Sequence, residues 1–351
     1  MLRDAGIPET DMNGSCEVGE KLAALEALGF ERRETGSFDG ETVRLGRDTC
    51  ETRSTVQAMG TRVVVVAQDG SPERTEEASG RALQEMERLV AILSRFDNRS
   101  AVTHLNDTGS LHNPPPELAH VIRRADRYHR ITRGLFDITV APLVDLFRMS
   151  GGVPPPRGDL AEAQALVGHE YLTVMKRVVR FDRSGMQITL DGIAKGYIVD
   201  GMAGVLRDHG IRDFLIDAGG EIRTSGLNHE GRAWRVAVRN PLGSGVVGDA
   251  IGLSEGAVAT SGGYENFFDP NMQFHHIVDA RVAASPARCA SISVVAPTTM
   301  AADAMATGAF IMDPGSAIVL IDRLPGWACL VIDTNGNSLK SKRWNAELES
   351  P

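Results

Sequence analysis

Residues 58–68, AMGTRVVVVAQ, decide how the chain folds. Four consecutive valines are β-branched, and a strand buried on both faces tolerates an unbroken apolar run. The stretch predicts a core strand, and the body is expected to begin near Thr55. Downstream, Leu83, Met86, Leu89 and Leu93 recur every three or four residues, which predicts a helix over 75–95 with one apolar face. A loop, RFDNRSAVTHLN, follows, then a helix over 117–132. SGGVPPPRG, 150–158, is the clearest break in the chain. Beyond it the pattern predicts short strands near 171–175, 178–182 and 186–190, a helix near 193–209, and strands at 213–217, 233–239 and 291–296. A helix near 299–311 and a strand pair across 317–333, split by LPGW, complete the body. Strands and helices mix without strict alternation, so the expected class is α+β: mixed sheets flanked by helices in one body.

The 351 residues carry a net charge of -9, which argues against general affinity for nucleic acid or anionic membranes. Four cysteines, Cys16, Cys50, Cys289 and Cys329, form no CxxC pair and no zinc spacing. No uncharged apolar run reaches the ~18 residues that a membrane helix needs. Residues 1–50 hold eleven acidic residues against six basic ones, a net of -5. They read as an acidic N-terminal extension to a domain over 51–340. Within it EKLAALEALGF predicts one short amphipathic helix, and the extension is either a solvated arm or a docking arm. The first residues show no basic stretch followed by an apolar one, so the chain as written is expected in the cytoplasm.

Several constellations carry chemistry. Glycines cluster at Gly192 and Gly196, Gly219 and Gly220, and Gly262 and Gly263, each beside a polar or acidic residue after a predicted strand. Such positions suit turns or the close approach of backbone to a ligand. In LDGIAKGY, 190–197, Asp191-Gly192 turns the chain into a helix whose first amides favour anions. Lys195 opposes the helix dipole there, so it marks either a bound phosphate or an ordinary surface lysine. LDGIAKGY itself is neither a Walker loop nor a GxGxxG fingerprint. In AADAMATGAF, 301–310, Asp303 and Thr307 stand four apart on one helix face among alanines. The pair fits a hard-oxygen site for Mg²⁺ or a helix-surface hydrogen bond. GLFDITVAPL, 134–143, sets an aromatic and an acid in an apolar segment. FHHIVDAR, 274–281, holds adjacent histidines that face opposite ways if extended. A Ser-His-Asp hydrolase is disfavoured, because Ser261 in TSGG lacks the helix-start context of a nucleophile elbow.

Together and in order, these blocks resemble the FAD:protein FMN transferases, the ApbE-type flavin transferases. The resemblance runs through AMGT (58–61), LSRFDNRSAVTHLN (93–106), GLFDITVAPLV (134–144), LDGIAKGYIVD (190–200), IDAGGEI (216–222), ATSGGYENFF (259–268), HHIVD (275–279) and VVAPTTMAADAMATGAF (294–310). It implies a T-fold-like body. It also implies Mg²⁺-dependent cleavage of FAD, with FMN passed to a Thr or Ser hydroxyl of an acceptor flavoprotein and AMP released. By motif position, Met59, Phe96, Leu135, Phe136, Asp137, Lys195, His276 and Ile277 would line the flavin site. Asp303 and Thr307 would hold the metal with the Gly192 carbonyl, and His276 would activate the acceptor hydroxyl beside Asp279. His275 would face away.

The sequence departs from the family pattern in places. Thr189 stands where many members have an acid that contacts FAD, so either Asp191 substitutes for it or that contact is lost. The usual HIIDPxTG block reads HHIVDARVAAS, and SGDY reads SGGY with Gly263 for the acid. Phe96 stands where Tyr is frequent. Members are commonly exported lipoproteins, which implies export here if the true start differs. Two rival readings share the site: Mg²⁺-dependent FAD hydrolysis to FMN and AMP, and a flavin-binding protein without turnover.

Overall fold

The computed structural model describes residues 38–45, 49–151, 153–242, 247–264, 267–268 and 274–344. Cys16 and the helix expected at EKLAALEALGF lie outside the described residues. Strands β1 (Phe38–Arg44), β2 (Cys50–Ala58) and β3 (Thr61–Asp69) pair as an antiparallel meander, so the sheet reaches N-terminal of Thr55. The opening stretch is therefore a turn plus a strand. Ala58 pairs with Thr61 across Met59 and Gly60, whose φ values are 53° and 73°. Positive φ at both central residues is the two-residue hairpin turn that matches strand twist. Glycine adopts it freely, whereas Met59 is held there against its preference.

Helix α1 (Pro72–Leu93) starts at Ser71, whose side chain accepts from the Arg74 N–H. Its Leu83, Met86, Leu89 and Leu93 are all buried, as the spacing predicts. The expected loop that follows contains helix α2 (Ala101–Thr108). Its residues are mediocre helix formers and only Val102 and Leu105 are buried, so periodicity is silent there. Its ends decide it: Ser100 Oγ accepts from Thr103 N at 3.0 Å, and Gly109 closes the helix at φ 75°.

A small sheet of β4 (Ser110–His112), β5 (Leu172–Val174) and β6 (Val178–Phe181) encloses helices α3 (Pro116–Ile131), α4 (Ala141–Met149) and α5 (Arg157–Ala165) in the sequence between its strands. The strand expected over 186–190 does not form. The segment is extended, but a side chain stands in for its partner: Asn106 Nδ2 donates to Ile188 O at 2.9 Å, and Ile188 N donates to Asn106 Oδ1 at 2.8 Å. Helix α6 (Ala194–Asp208) leads to β7 (Asp213–Asp217) and β8 (Ile222–Ser225).

The hairpin β9 (Trp234–Arg239) and β10 (Val247–Leu253) stands apart from the large sheet, which resumes with β11 (Glu255–Gly262) and β12 (Cys289–Ala296). Helix α7 (Thr299–Phe310) is followed by α8 (Pro314–Asp322), where a strand was expected. Asp313 caps α8 through the Gly315 and Ser316 amides and Pro314 opens its first turn, which overrides the β propensity of Ile318 and Val319. Strands β13 (Ala328–Asp333) and β14 (Ser338–Lys340) end the sheet.

Among the described residues, nine strands form one sheet in the order β1-β2-β3-β7-β8-β11-β12-β13-β14, paired antiparallel throughout. The α+β class follows. The valine run explains the layering. Val63 and Val65 join the core shared with α1, α6 and α7, while Val64 and Val66 meet Trp234 of the β9–β10 hairpin. One sheet face carries helices, and the other carries the hairpin.

The Asn106 bridge yields a stability prediction. Asn106→Ala strands a backbone N–H and C=O of Ile188, at about 1–3 kcal/mol. Urea unfolding should show a loss of that size. An unchanged midpoint would mean that water replaces the carboxamide at no cost.

Candidate functional site

A cavity of about 760 Å³ opens between the helical layer and the sheet. Met59, Phe96, Leu135, Phe136, Asp137, Thr189, Asp191, Gly192, Lys195, His276, Ile277, Asp303 and Thr307 all line it. Residues scattered over more than two hundred positions thus meet in one concavity. The β2–β3 turn delivers Met59, the entries to α4 and α6 deliver Asp137 and Lys195, and α7 delivers Asp303 and Thr307.

The polar cluster centres on α6 and α7. Asp303 is 4% exposed, and its Oδ2 accepts from Gly196 N at 3.0 Å. Burial, then the neighbouring Glu221 carboxylate, push the Asp303 carboxyl well above the usual carboxylate range, although the Gly196 amide and Lys195 oppose them. Lys195 Nζ lies 2.8 Å from Glu221 Oε2. That ion pair accounts for a cation at a helix start without any ligand. Thr307 Oγ1 lies 3.3 Å from Ser261 Oγ and beside Gly192, where a Cβ would come within 2.8 Å of it. Asp303, Thr307 and the Gly192 carbonyl are the oxygen donors that would hold a metal ion here, and oxygen donors suit Mg²⁺ rather than a softer metal.

A second cluster is aromatic and cationic. Phe96 is 70% exposed, with the Arg95 and Arg148 guanidinium carbons 5.7 and 5.6 Å from its ring centre. Arg148 also lies 5.8 Å from the Phe268 ring. Asp137 is fixed by its own turn: Oδ1 accepts from Thr139 N at 2.8 Å and Oγ1 at 2.7 Å. Behind it, His129, Asp137 and His169 bring ligand-type atoms within 4.8 Å of one another. The two imidazoles stack, 4.6 Å between centres and 19° between planes, and His129 Nδ1 lies 3.0 Å from Phe136 O. His129 Nδ1 also lies 3.6 Å from Asp137 Oδ2, and His169 Nε2 lies 3.1 Å from Asp126 Oδ1.

The two histidines divide as expected. His276 lines the cavity, whereas His275 is buried away from it. His275 Nε2 lies 3.0 Å from Pro286 O and its Nδ1 accepts from Ile277 N at 3.3 Å, which assigns the proton to Nε2. The segment is not a regular strand; it holds isolated bridges at His275 and Asp279. Asp279 does not act as the expected partner of the His276 ring: its two oxygens take Arg281 Nε at 2.9 Å and NH2 at 2.7 Å. A guanidinium fork outcompetes an imidazole for a carboxylate. Ser261, set aside as a nucleophile, also lines the cavity, as do Glu221, Arg148 and Phe268, which the sequence reading does not single out. Glu221 had a signal, an acid directly after the glycine pair of IDAGGEI.

The sequence and the fold are similar to those of known proteins. A model of the ApbE family matches residues 59–331. The FAD:protein FMN transferase of Haemophilus influenzae is 31% identical over 303 residues, 81% of this chain and 88% of that one. That of Escherichia coli K12 is 29% identical over 263 residues, 71% of this chain and 75% of that one. The crystal structure of the ApbE protein from Thermotoga maritima MSB8 matches with a TM-score of 0.77 at 28% identity, over 86% of this chain and 100% of that one. Among the described residues, no helix is long and apolar enough to cross a membrane.

Burial holds the His275 imidazole below its ordinary value of 6.5. Above that value neither folded nor unfolded chain binds the proton, and the fold keeps its full stability. Below it, the unfolded chain takes up a proton that the buried ring refuses, so stability falls as the pH drops, by up to about 1.4 kcal/mol per unit. His275→Gln can still donate to Pro286 and lacks this dependence. Unfolding curves at about pH 7.5 and about pH 5.5 should therefore converge for the variant relative to wild type; equal pH dependence in both would assign the effect elsewhere.

Proposed function

The chain belongs to the ApbE family, and on that premise we propose that it transfers FMN from FAD to a Thr or Ser hydroxyl of an acceptor protein. One observation carries the reading: a single cavity combines an aromatic and apolar lining with a charged cluster of Lys195, Glu221 and Asp303. FAD needs both, an apolar slot for the ring system and a charged end for the pyrophosphate. In this reading Met59, Phe96, Leu135, Phe136 and Ile277 pack on the flavin, and Asp137 and Thr189 offer polar contacts. Asp191, at the turn into α6, stands in for the acid missing at Thr189.

The chemistry is a phosphoryl substitution. The acceptor oxygen forms a bond to the FMN phosphorus, the bond from that phosphorus to the bridging oxygen breaks, and AMP leaves with the bridging oxygen. Bound by Asp303, Thr307 and the Gly192 carbonyl, Mg²⁺ would offset the pyrophosphate charge and stabilise the leaving AMP. Lys195, steered by Glu221, meets the pyrophosphate oxygens. His276 takes the proton from the acceptor hydroxyl as it attacks. The Asp279 carboxylate is held by Arg281 and is not the group that orients the His276 ring.

The test follows both products. Protein, FAD, Mg²⁺ and a candidate acceptor with an exposed Thr are mixed; AMP is measured by chromatography and covalent flavin by fluorescence of the denatured acceptor. Transfer predicts AMP and labelled acceptor in step. AMP without label would establish the hydrolase instead, and neither would leave a flavin binder.

Two substitutions refine the roles. Lys195→Ala should weaken FAD binding by about tenfold or more and riboflavin binding little, since riboflavin has no phosphate. Equal losses would make the lysine structural. His276→Ala should lower kcat for transfer by about 10²–10⁴-fold at saturating FAD. A rise in KM alone would reduce His276 to a packing residue.

A further inference from the structure

Helices α6 and α7 are tied to each other by two carboxylates exchanged in opposite directions. Asp303, on α7, accepts from the Gly196 N–H in the first turn of α6. Asp200, on α6, accepts from the first two amides of α7: Thr299 N to Oδ1 at 2.8 Å and Met300 N to Oδ2 at 2.9 Å. The axes cross so closely that a Cβ on Gly196 would lie 2.4 Å from Thr299 O. Asp200 is not a substitute for a missing cap, because α7 has its own: Thr298 Oγ1 accepts from Ala301 N at 3.2 Å. Thr299 and Met300 are 0% and 6% exposed, so their amides have no water to turn to.

We propose that Asp200 is a positioning residue that sets the rotation and depth of α7, and thereby the placement of Asp303 and Thr307 toward a bound metal ion. The inference rests on the reading of Asp303 and Thr307 as metal ligands. Asp303 lies one helical turn beyond Met300, and Thr307 one turn further. The Gly196 strap adds one distance to the packing of α7, because one hydrogen bond fixes a distance and not an orientation. Two oxygens of Asp200 on two successive amides fix the roll. The approach to α7 is held as well: Arg223, whose charge faces Asp200, donates to Pro297 O and to Glu255 Oε1. Asp200 does not line the cavity, so it touches neither flavin nor metal.

The test reads metal binding apart from turnover. FAD-free protein is titrated with Mn²⁺ and followed by electron paramagnetic resonance, and FAD binding is measured separately in chelator. Wild type, Asp200→Ala, Asp200→Asn and Asp303→Ala are compared. Asp200→Ala should weaken Mn²⁺ by about 10–100-fold. Asp200→Asn, which keeps one acceptor oxygen, should fall between it and wild type, and FAD affinity in chelator should be unchanged in both. The rise in Tm on adding Mn²⁺ should shrink in the same order. Wild-type Mn²⁺ affinity in the Asp200 variants, with Asp303→Ala unable to bind Mn²⁺, would overturn the positioning role and leave the metal reading standing. Mn²⁺ retained by Asp303→Ala would instead overturn the metal reading itself. Parallel loss of Mn²⁺ and FAD, or failure of Asp200→Asn to fold, would also overturn the proposal by making Asp200 a support of the whole fold.

Discussion

The close crossing of α6 and α7 is the constraint on which the rest depends. Gly196 lets the two backbones touch, and the carboxylates of Asp200 and Asp303 satisfy amides that the crossing has cut off from water. Helix starts carry orphan donors and a partial positive charge, so an acid from a neighbouring helix serves both needs at once. Every other feature of the cavity is referred to this pair. The β7–β8 turn sets Glu221 against Lys195, β11 sets Ser261 against Thr307, and α4 and α1 close the remaining walls.

The alanine content of α7 follows from the same geometry. Residues 299–306 and 308–310 are buried, with α6 on one side and β11 and β12 on another. A helix enclosed this tightly needs small side chains, and large ones would force the layers apart. Asp303 is the one ionisable residue on it. Its charge is stabilised locally by one amide and by Lys195, and opposed by Glu221 and Asp191. A carboxylate in that position is poorly satisfied by the protein alone, which is the physical basis for reading it as half of a cation site.

The sequence yields what periodicity and short motifs encode. The valine run, the α1 stripe and the Asp303–Thr307 spacing are local patterns, and each appears where it was expected. The misreadings occur where side chains other than apolar ones decide. Ser100 and Gly109 make a helix of a stretch with little apolar pattern, and Asp313 with Pro314 makes a helix of PGSAIVLID against its β propensity. Asn106 supplies the partner that would otherwise make 186–190 a strand. Contacts between distant segments were invisible for a different reason. Nothing in IDAGGEI says that Glu221 meets Lys195, and nothing in HHIVDAR says that Arg281 takes Asp279 away from His276. Pairings of this kind exist only once the layers are packed.

Gly263 and His275, twelve positions apart in the chain, are neighbours in space. A Cβ on Gly263 would lie 3.1 Å from His275 Cδ2 and 3.2 Å from Nε2, tighter than an ordinary contact. The imidazole therefore occupies space that a side chain at 263 would need. His275 is also committed on both ring nitrogens, to Ile277 N and Pro286 O, and it packs edge-on against Phe310 with ring centres 5.6 Å apart. An acid at 263 facing this neutral, buried ring would lack a counter-charge and would crowd it. The buried imidazole thus fills the space beside Gly263, while His276 and Ile277 stay on the cavity wall.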